Sequence, residues 1–199
     1  MKHVAGQNKP EARHWVHLRR LQSTEAAALI EFAVALPLLV VLVVGIFDFG
    51  GAFNLKQELN NAAREGARFG ASQPTNDLSN SGTPPSVDAV RYVVASYLQA
   101  ARINDCGLGA MSPPAAQSAP MAWTYSPAGC ALVLTIQRPC IVAGCPAVGA
   151  PTNAYMPTTY VQIQYPYQWH FNNVIQLLVP GANYVLTTVN SDATAANMD

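Results

Sequence analysis

The sequence predicts an α+β protein: a long N-terminal transmembrane helix, then a small domain with an antiparallel sheet and a packed helix. Three observations predict it. Residues 26–47 form a 22-residue apolar run that carries one charge, Glu31. Residues 86–103 place Val90, Val93, Val94, Tyr97 and Leu98 at helical spacing. Residues 131–137, 159–165 and 184–189 are rich in the β-branched and aromatic residues of strands.

The apolar run comes first. A helix rises about 1.5 Å per residue, so the run reaches about 33 Å, enough for a hydrocarbon core of about 30 Å. A cleaved secretory signal has an apolar core of only about 7–15 residues. Five of the chain's eleven basic residues, Lys2, Lys9, Arg13, Arg19 and Arg20, precede the run. The positive-inside rule then places residues 1–26 in the cytoplasm as a basic leader and the residues beyond the run outside. Two residues of the run are unusual for a span. Glu31 is an ionisable group one turn inside, read either as snorkelling or as pairing with a positive group during assembly. Pro37 removes a backbone hydrogen bond, so it marks either a tolerated kink or a point of unwinding.

The helical pattern continues past the run. Leu55, Leu59, Ala62, Ala63 and Gly66 recur at helical spacing, so a continuing amphipathic helix is expected over residues 27–71. Its small-residue stripe suits close helix packing, either on the chain's own domain or on other subunits. Residues 72–86 are a polar Pro/Gly/Ser linker, with Ser86 placed to cap the next helix. Residues 87–191 form the α+β domain outside the membrane, including a short helix over 171–179, and residues 192–199 read as a disordered tail.

Composition limits the chemistry. Net charge is zero, so no basic field recruits nucleic acid. Only 11% of residues are charged, against about 25% in an ordinary soluble domain, and residues 139–191 contain no Asp, Glu, Lys or Arg. No Gly-x-Ser-x-Gly elbow, Walker loop or His-Glu-x-x-His motif is present, so no catalytic site is expected. Asp77-Leu78-Ser79-Asn80-Ser81 fits an Asp-x-Ser-x-Ser metal pattern, but no buried strand precedes it; no metal or cofactor is expected. His170 follows Tyr165, Tyr167 and Trp169, an aromatic cluster read as core and subunit contact. Cys106, Cys130, Cys140 and Cys145 all lie beyond the run, where export favours disulfides. Of three possible pairings, Cys106–Cys130 with Cys140–Cys145 is the expected one.

The stretch AALIEFAVALPLLVVLVVGIFDFG, followed by FNLKQELNNAAREGARFGA, closely resembles the N-terminal region of TadE-like proteins. The matching features are Glu31-Phe32 at the start of the span, Leu36-Pro37 after it, and Phe47-Asp48-Phe49-Gly50 at its end. The run from Asn61 to Arg68 matches as well. The family consists of minor pilins, or pseudopilins, of the tight-adherence type IV pilus system of bacteria. The resemblance implies a non-enzymatic protein of the inner membrane that helps to assemble a pilus and so serves adhesion or biofilm formation. Its implied partners are other pilin or pseudopilin subunits, a prepilin peptidase, the inner-membrane secretion platform and the lipid bilayer. It implies a peptidase cut between Ala26 and Ala27, with Ala26 standing where the family usually has Gly. Glu31, Phe32 and Pro37 are then the residues of assembly, with Glu31 meeting the new amino terminus of a neighbouring subunit. The alternative is a static, membrane-tethered periplasmic binding or sensor module that never enters a filament.

Overall fold

The computed structural model describes residues 24–79, 82–112, 116–119, 121–141, 157–171, 176, 181 and 187–198. Among the described residues, two α-helices and five strands are present: α1 (Thr24–Ala71), α2 (Pro85–Ala100), β1 (Ala116–Ala119), β2 (Ala122–Tyr125), β3 (Val133–Ile141), β4 (Pro157–Tyr167) and β5 (Thr187–Ala196). The chain divides into two units between Ile46 and Phe47.

The first unit contains the apolar part of α1. The helix is long and apolar enough to cross a membrane, and its most apolar window has no buried residue. Leu29, Val34 and Leu39 are all exposed, on different sides of the helix. A helix that is apolar all round and is not buried by the rest of the described chain suits hydrocarbon as its surroundings. Pro37 lies inside α1 without ending it.

The second unit is a meander of five antiparallel strands, ordered β1-β2-β3-β4-β5, with helices on its apolar face. Alternation sets that face. In β3, Leu134 and Ile136 are buried while Thr135 and Gln137 are less so. They pair across the ladder with Ile163 and Val161 of β4, which are also buried. Against this face α2 lays Val87, Val90, Val94 and Leu98, and α1 lays Leu59, Ala62, Ala63 and Ala67. Full burial of each Val or Leu stabilises the fold by about 1.5–3 kcal/mol. The small-residue stripe of α1 therefore packs on the chain's own domain. Gly66 shows how closely: a Cβ there lies 2.7 Å from Cγ2 of Val94.

Several boundaries differ from the sequence reading. Ser86 does not cap α2. The N-cap is Pro84, with Pro85 as the first helical residue, where the missing N–H costs nothing. Asp77 supplies the cap from a short 3-10 turn, its carboxylate accepting from the Ser86 N–H at 2.7 Å and the Ser86 hydroxyl at 3.0 Å. That is the role of the acid in the apparent metal motif. The helix stops at Ala100 rather than Ile103 because Arg102 takes the left-handed conformation, with φ 59°. β2 lies just beyond the loop read over 104–120, and β1 lies inside it. The tail is not disordered from residue 192: β5 continues to Ala196 opposite Thr158. Asn197 and Met198 then donate backbone hydrogen bonds to Pro157 and Ala71. Asp, Asn and Ala have low strand propensity, but here the long partner strand β4 decides. The expected helix over 171–179 falls largely outside the described residues.

Cys106 and Cys130 form a disulfide, as expected. The turn that presents Cys106 is built by Asp105, whose carboxylate accepts from the N–H groups of Gly107 and Gly109 and from the Gln99 amide. Burial pushes the Asp105 carboxyl up, but these hydrogen bonds outweigh it and hold it below the ordinary value of 3.8. The other expected pair lies outside the described residues, because Cys145 and the side chain of Cys140 are not described.

Two outcomes follow for stability, both read by chemical denaturation of the full chain in detergent micelles. Gly66→Val forces methyl groups into Val94 and lowers stability by about 1–3 kcal/mol, and Val94→Ala in the same chain recovers part of the loss. Cys130→Ser removes the disulfide and costs about 2–4 kcal/mol. A Cys130→Ser midpoint equal to the parent's shows that the bridge contributes nothing.

Candidate functional site

The residues singled out for processing and assembly share one stretch of α1. Ala26, Ala27, Glu31, Phe32 and Pro37 are all helical. Ala27, Glu31 and Phe32 are exposed. Glu31 lies four residues after Ala27, so the two share a helix face about 6 Å apart along the axis. An amino terminus created at Ala27 lies within one turn of Glu31.

The second unit holds a different cluster, centred on the acid that follows the apolar run. Asp48 is only 4% exposed although it sits on a helix whose neighbours are largely exposed. Its carboxylate accepts a 2.7 Å hydrogen bond from the Phe171 N–H. His170 Nδ1 lies 3.0 Å from its other oxygen, while the His170 side chain itself is 83% exposed. The Tyr167 hydroxyl lies 3.0 Å from the Asp48 carbonyl oxygen and 3.2 Å from its carboxylate, so one proton serves two acceptors. Gly51, one turn along, permits this approach, since a Cβ there lies 3.0 Å from the Tyr167 oxygen. Burial, and then the Asp48 carboxylate, push the Tyr167 phenol above its usual value, which keeps it protonated and donating. Asp48 thus pins the end of β4 and the residues after it to α1.

Aromatic rings surround the clamp. Trp169 packs edge-on against Phe49, with ring centroids 5.3 Å apart, and against Tyr167 at 5.0 Å. Phe171 packs on Trp169 at a tilt, with ring centroids 5.3 Å apart. The Trp169 indole N–H donates to the Thr187 hydroxyl at 2.7 Å. Beside the cluster is an open apolar cleft of about 220 Å³, lined by Phe49, Ala52, Phe53, Lys56 and Val189. Among the described residues no group of His, Cys, Asp and Glu is placed to hold a metal ion.

Sequence reasoning identified the aromatic cluster and His170 but not their shared partner. The available signal was Asp48 itself, the only acid between Glu31 and Glu58. An acid at the edge of an apolar run needs donors, and the stretch Tyr167-Gln168-Trp169-His170 offers them. A test follows. Asp48→Ala strips the acceptor from the Phe171 N–H, Tyr167 and His170, a loss of about 1–3 kcal/mol that falls on this region. Hydrogen exchange of peptides covering 165–171 accelerates by about tenfold or more if the local opening energy drops by about 1.4 kcal/mol. Asp48→Asn, which keeps one oxygen, is intermediate. Unchanged exchange in Asp48→Ala removes Asp48 as the clamp.

Comparison with curated proteins and with solved structures finds no match to this chain. A family model does match, described as TadE-like protein, over residues 26–68. The match covers the apolar run, Glu31, Pro37, Asp48 and the small-residue face as far as Arg68. Residues 26–68 of this chain are therefore a TadE-like family domain.

Proposed function

We propose that the protein is a membrane-anchored pseudopilin, or minor pilin, that contributes without catalysis to assembly of a tight-adherence pilus, with adhesion or biofilm formation as the outcome. The observation that carries the reading is the family match over residues 26–68, which coincides with a helix apolar enough to span a bilayer. In this reading the chain crosses the bacterial inner membrane once. The basic leader stays in the cytoplasm and the sheet domain lies in the periplasm, or on an extracellular pilus once the subunit is incorporated. Its partners are other pilin or pseudopilin subunits, the prepilin peptidase and the inner-membrane secretion platform.

Chemistry links processing to assembly. A cut between Ala26 and Ala27 removes the five early basic residues that tether the chain to the cytoplasmic face. It also leaves an ammonium at the start of the helix. Glu31 offers that ammonium, on its own chain or a neighbour's, a partner in a poorly solvated setting, where opposite charges attract strongly. Phe32 and Pro37 lie on the same length of helix and shape how a neighbouring helix packs there.

One observation favours a second reading. Ala26 stands where the family usually has Gly, and Gly admits a protease more closely to the backbone. A chain that escapes cleavage becomes a static, membrane-tethered periplasmic module. N-terminal sequencing of protein from a strain carrying the full secretion system separates the two. The pseudopilin reading requires a mature terminus at Ala27, while an intact Met1 supports the static anchor. In the same strain Glu31→Gln leaves membrane insertion unchanged and lowers pilus output by about tenfold, as expected if about 1.4 kcal/mol of subunit pairing is lost. Normal output from Glu31→Gln dismisses the charge-pairing role.

A further inference from the structure

We propose that the rim formed by residues 47–53 of α1 and residues 167–171 is seated in the headgroup layer of the bilayer, with Trp169 as its interfacial anchor. The proposal rests on the reading of residues 26–47 as a membrane span, and it names the surface that the outer domain touches.

Distance along the helix comes first. The apolar run ends at Phe47. The next six residues of α1 add about 9 Å, comparable with the interfacial layer of about 5–7 Å on each side of the hydrocarbon core. Phe49 and Phe53 lie in this stretch and are 56% and 68% exposed. Two exposed rings so close together on a polar, water-facing helix are unfavourable, whereas in an interfacial layer they are not. The clamp then brings the end of the sheet to the same level. Tyr167 and Phe171 are hydrogen-bonded to Asp48, the residue that follows the run. Trp169 lies between them, packed on Phe49.

The polar groups fit the same setting. Trp and Tyr concentrate at membrane interfaces because one end of each is apolar and the other makes hydrogen bonds. Here the Trp169 indole N–H is held by Thr187 and the Tyr167 hydroxyl by Asp48. Asp48, the one acid at this level of the helix, would be costly beside lipid. It is buried, with its oxygens engaged by the domain rather than turned outward. The first cation after the run is Lys56, at the edge of the apolar cleft, where its ammonium donates to the Asn190 carbonyl. An ammonium above an apolar wall matches a lipid phosphate above its acyl chains. Residues 47–53 follow the apolar run directly along α1, so lipid is the occupant that this placement supplies.

The test uses the full chain in vesicles of phosphatidylcholine and phosphatidylglycerol, with acyl chains brominated close to the headgroup. The chain has three tryptophans, so the difference between the parent and Trp169→Phe isolates the emission of Trp169 from that of Trp15 and Trp123. The proposal requires bromolipid to quench that emission at least about twofold, as for an interfacial indole. Phe53→Trp on the Trp169→Phe background must restore quenchable emission, which keeps the test valid if residue 169 perturbs its neighbours. Trp169 emission quenched by aqueous acrylamide but not by bromolipid overturns the proposal. So does emission quenched by neither, which means that protein, such as a second copy, covers the ring. Flotation after a carbonate wash separates the two levels of inference. A chain that does not float overturns the span and this proposal together, while a floating chain with unquenched Trp169 overturns this proposal alone.

Discussion

The second unit depends on how closely α1 approaches it. Leu59, Ala62, Ala63, Gly66 and Ala67 form a face with little side chain, and α2 presses against it until Cγ2 of Val94 stands 2.7 Å from where a Cβ on Gly66 would be. Close packing of this kind gains dispersion contacts over a long seam, and it tolerates no added volume. It also fixes which side of α1 faces the sheet. Every other contact of that helix follows, including the side on which Asp48 is found. Arg138 reinforces the arrangement from the sheet, donating from β3 to Thr159 and to the Gln73 carbonyl just past the end of α1.

Asp48 lies three turns before Leu59 and is governed by different physics. The helix there is otherwise apolar, and a lone carboxylate on it would be expensive in any poorly solvated setting. The chain resolves this by bringing donors to the acid: one backbone N–H, one phenol and one imidazole. The same hydrogen bonds hold residues 167–171 at the end of β4. One charged residue therefore serves both solvation and shape. The aromatic rings follow, since a segment held this close to an apolar helix packs most favourably with rings such as Trp169 and Phe171.

Much of this was legible in the sequence, and the limits are specific. The 22-residue run, the helical stripe through Gly66 and the alternation in β3 and β4 are periodic signals, and each produced the expected element. The pair Cys106–Cys130 belongs to the expected one of three possible pairings and is present. The failures lie where tertiary contact overrides local preference. β5 runs through Asn190, Ser191 and Asp192, residues that favour turns, because β4 offers an unbroken ladder from Thr158 to Tyr167. Asp77 caps α2 from outside the helix, a contact that no window on residues 84–86 reveals. The Asp48 clamp joins residues more than a hundred positions apart, so only its ingredients, not their meeting, could be read along the chain.

The family match spans α1 and no part of the sheet. The match accordingly bears on a helix, and the processing at Ala26 and Ala27 and the packing through Glu31, Phe32 and Pro37 belong to the function proposed above. The role of the sheet domain must be argued from its own structure, and that structure presents rings and a clamp. A helix that must pack on neighbours within a membrane cannot also be free to tilt arbitrarily against a folded load. A load seated on the interface by Trp169, Phe49 and Phe53 limits that tilt, because interfacial aromatics resist leaving their depth. In the proposed pseudopilin, a fixed height would favour the pairing of Glu31 with a neighbouring amino terminus, because a charge pair has short reach.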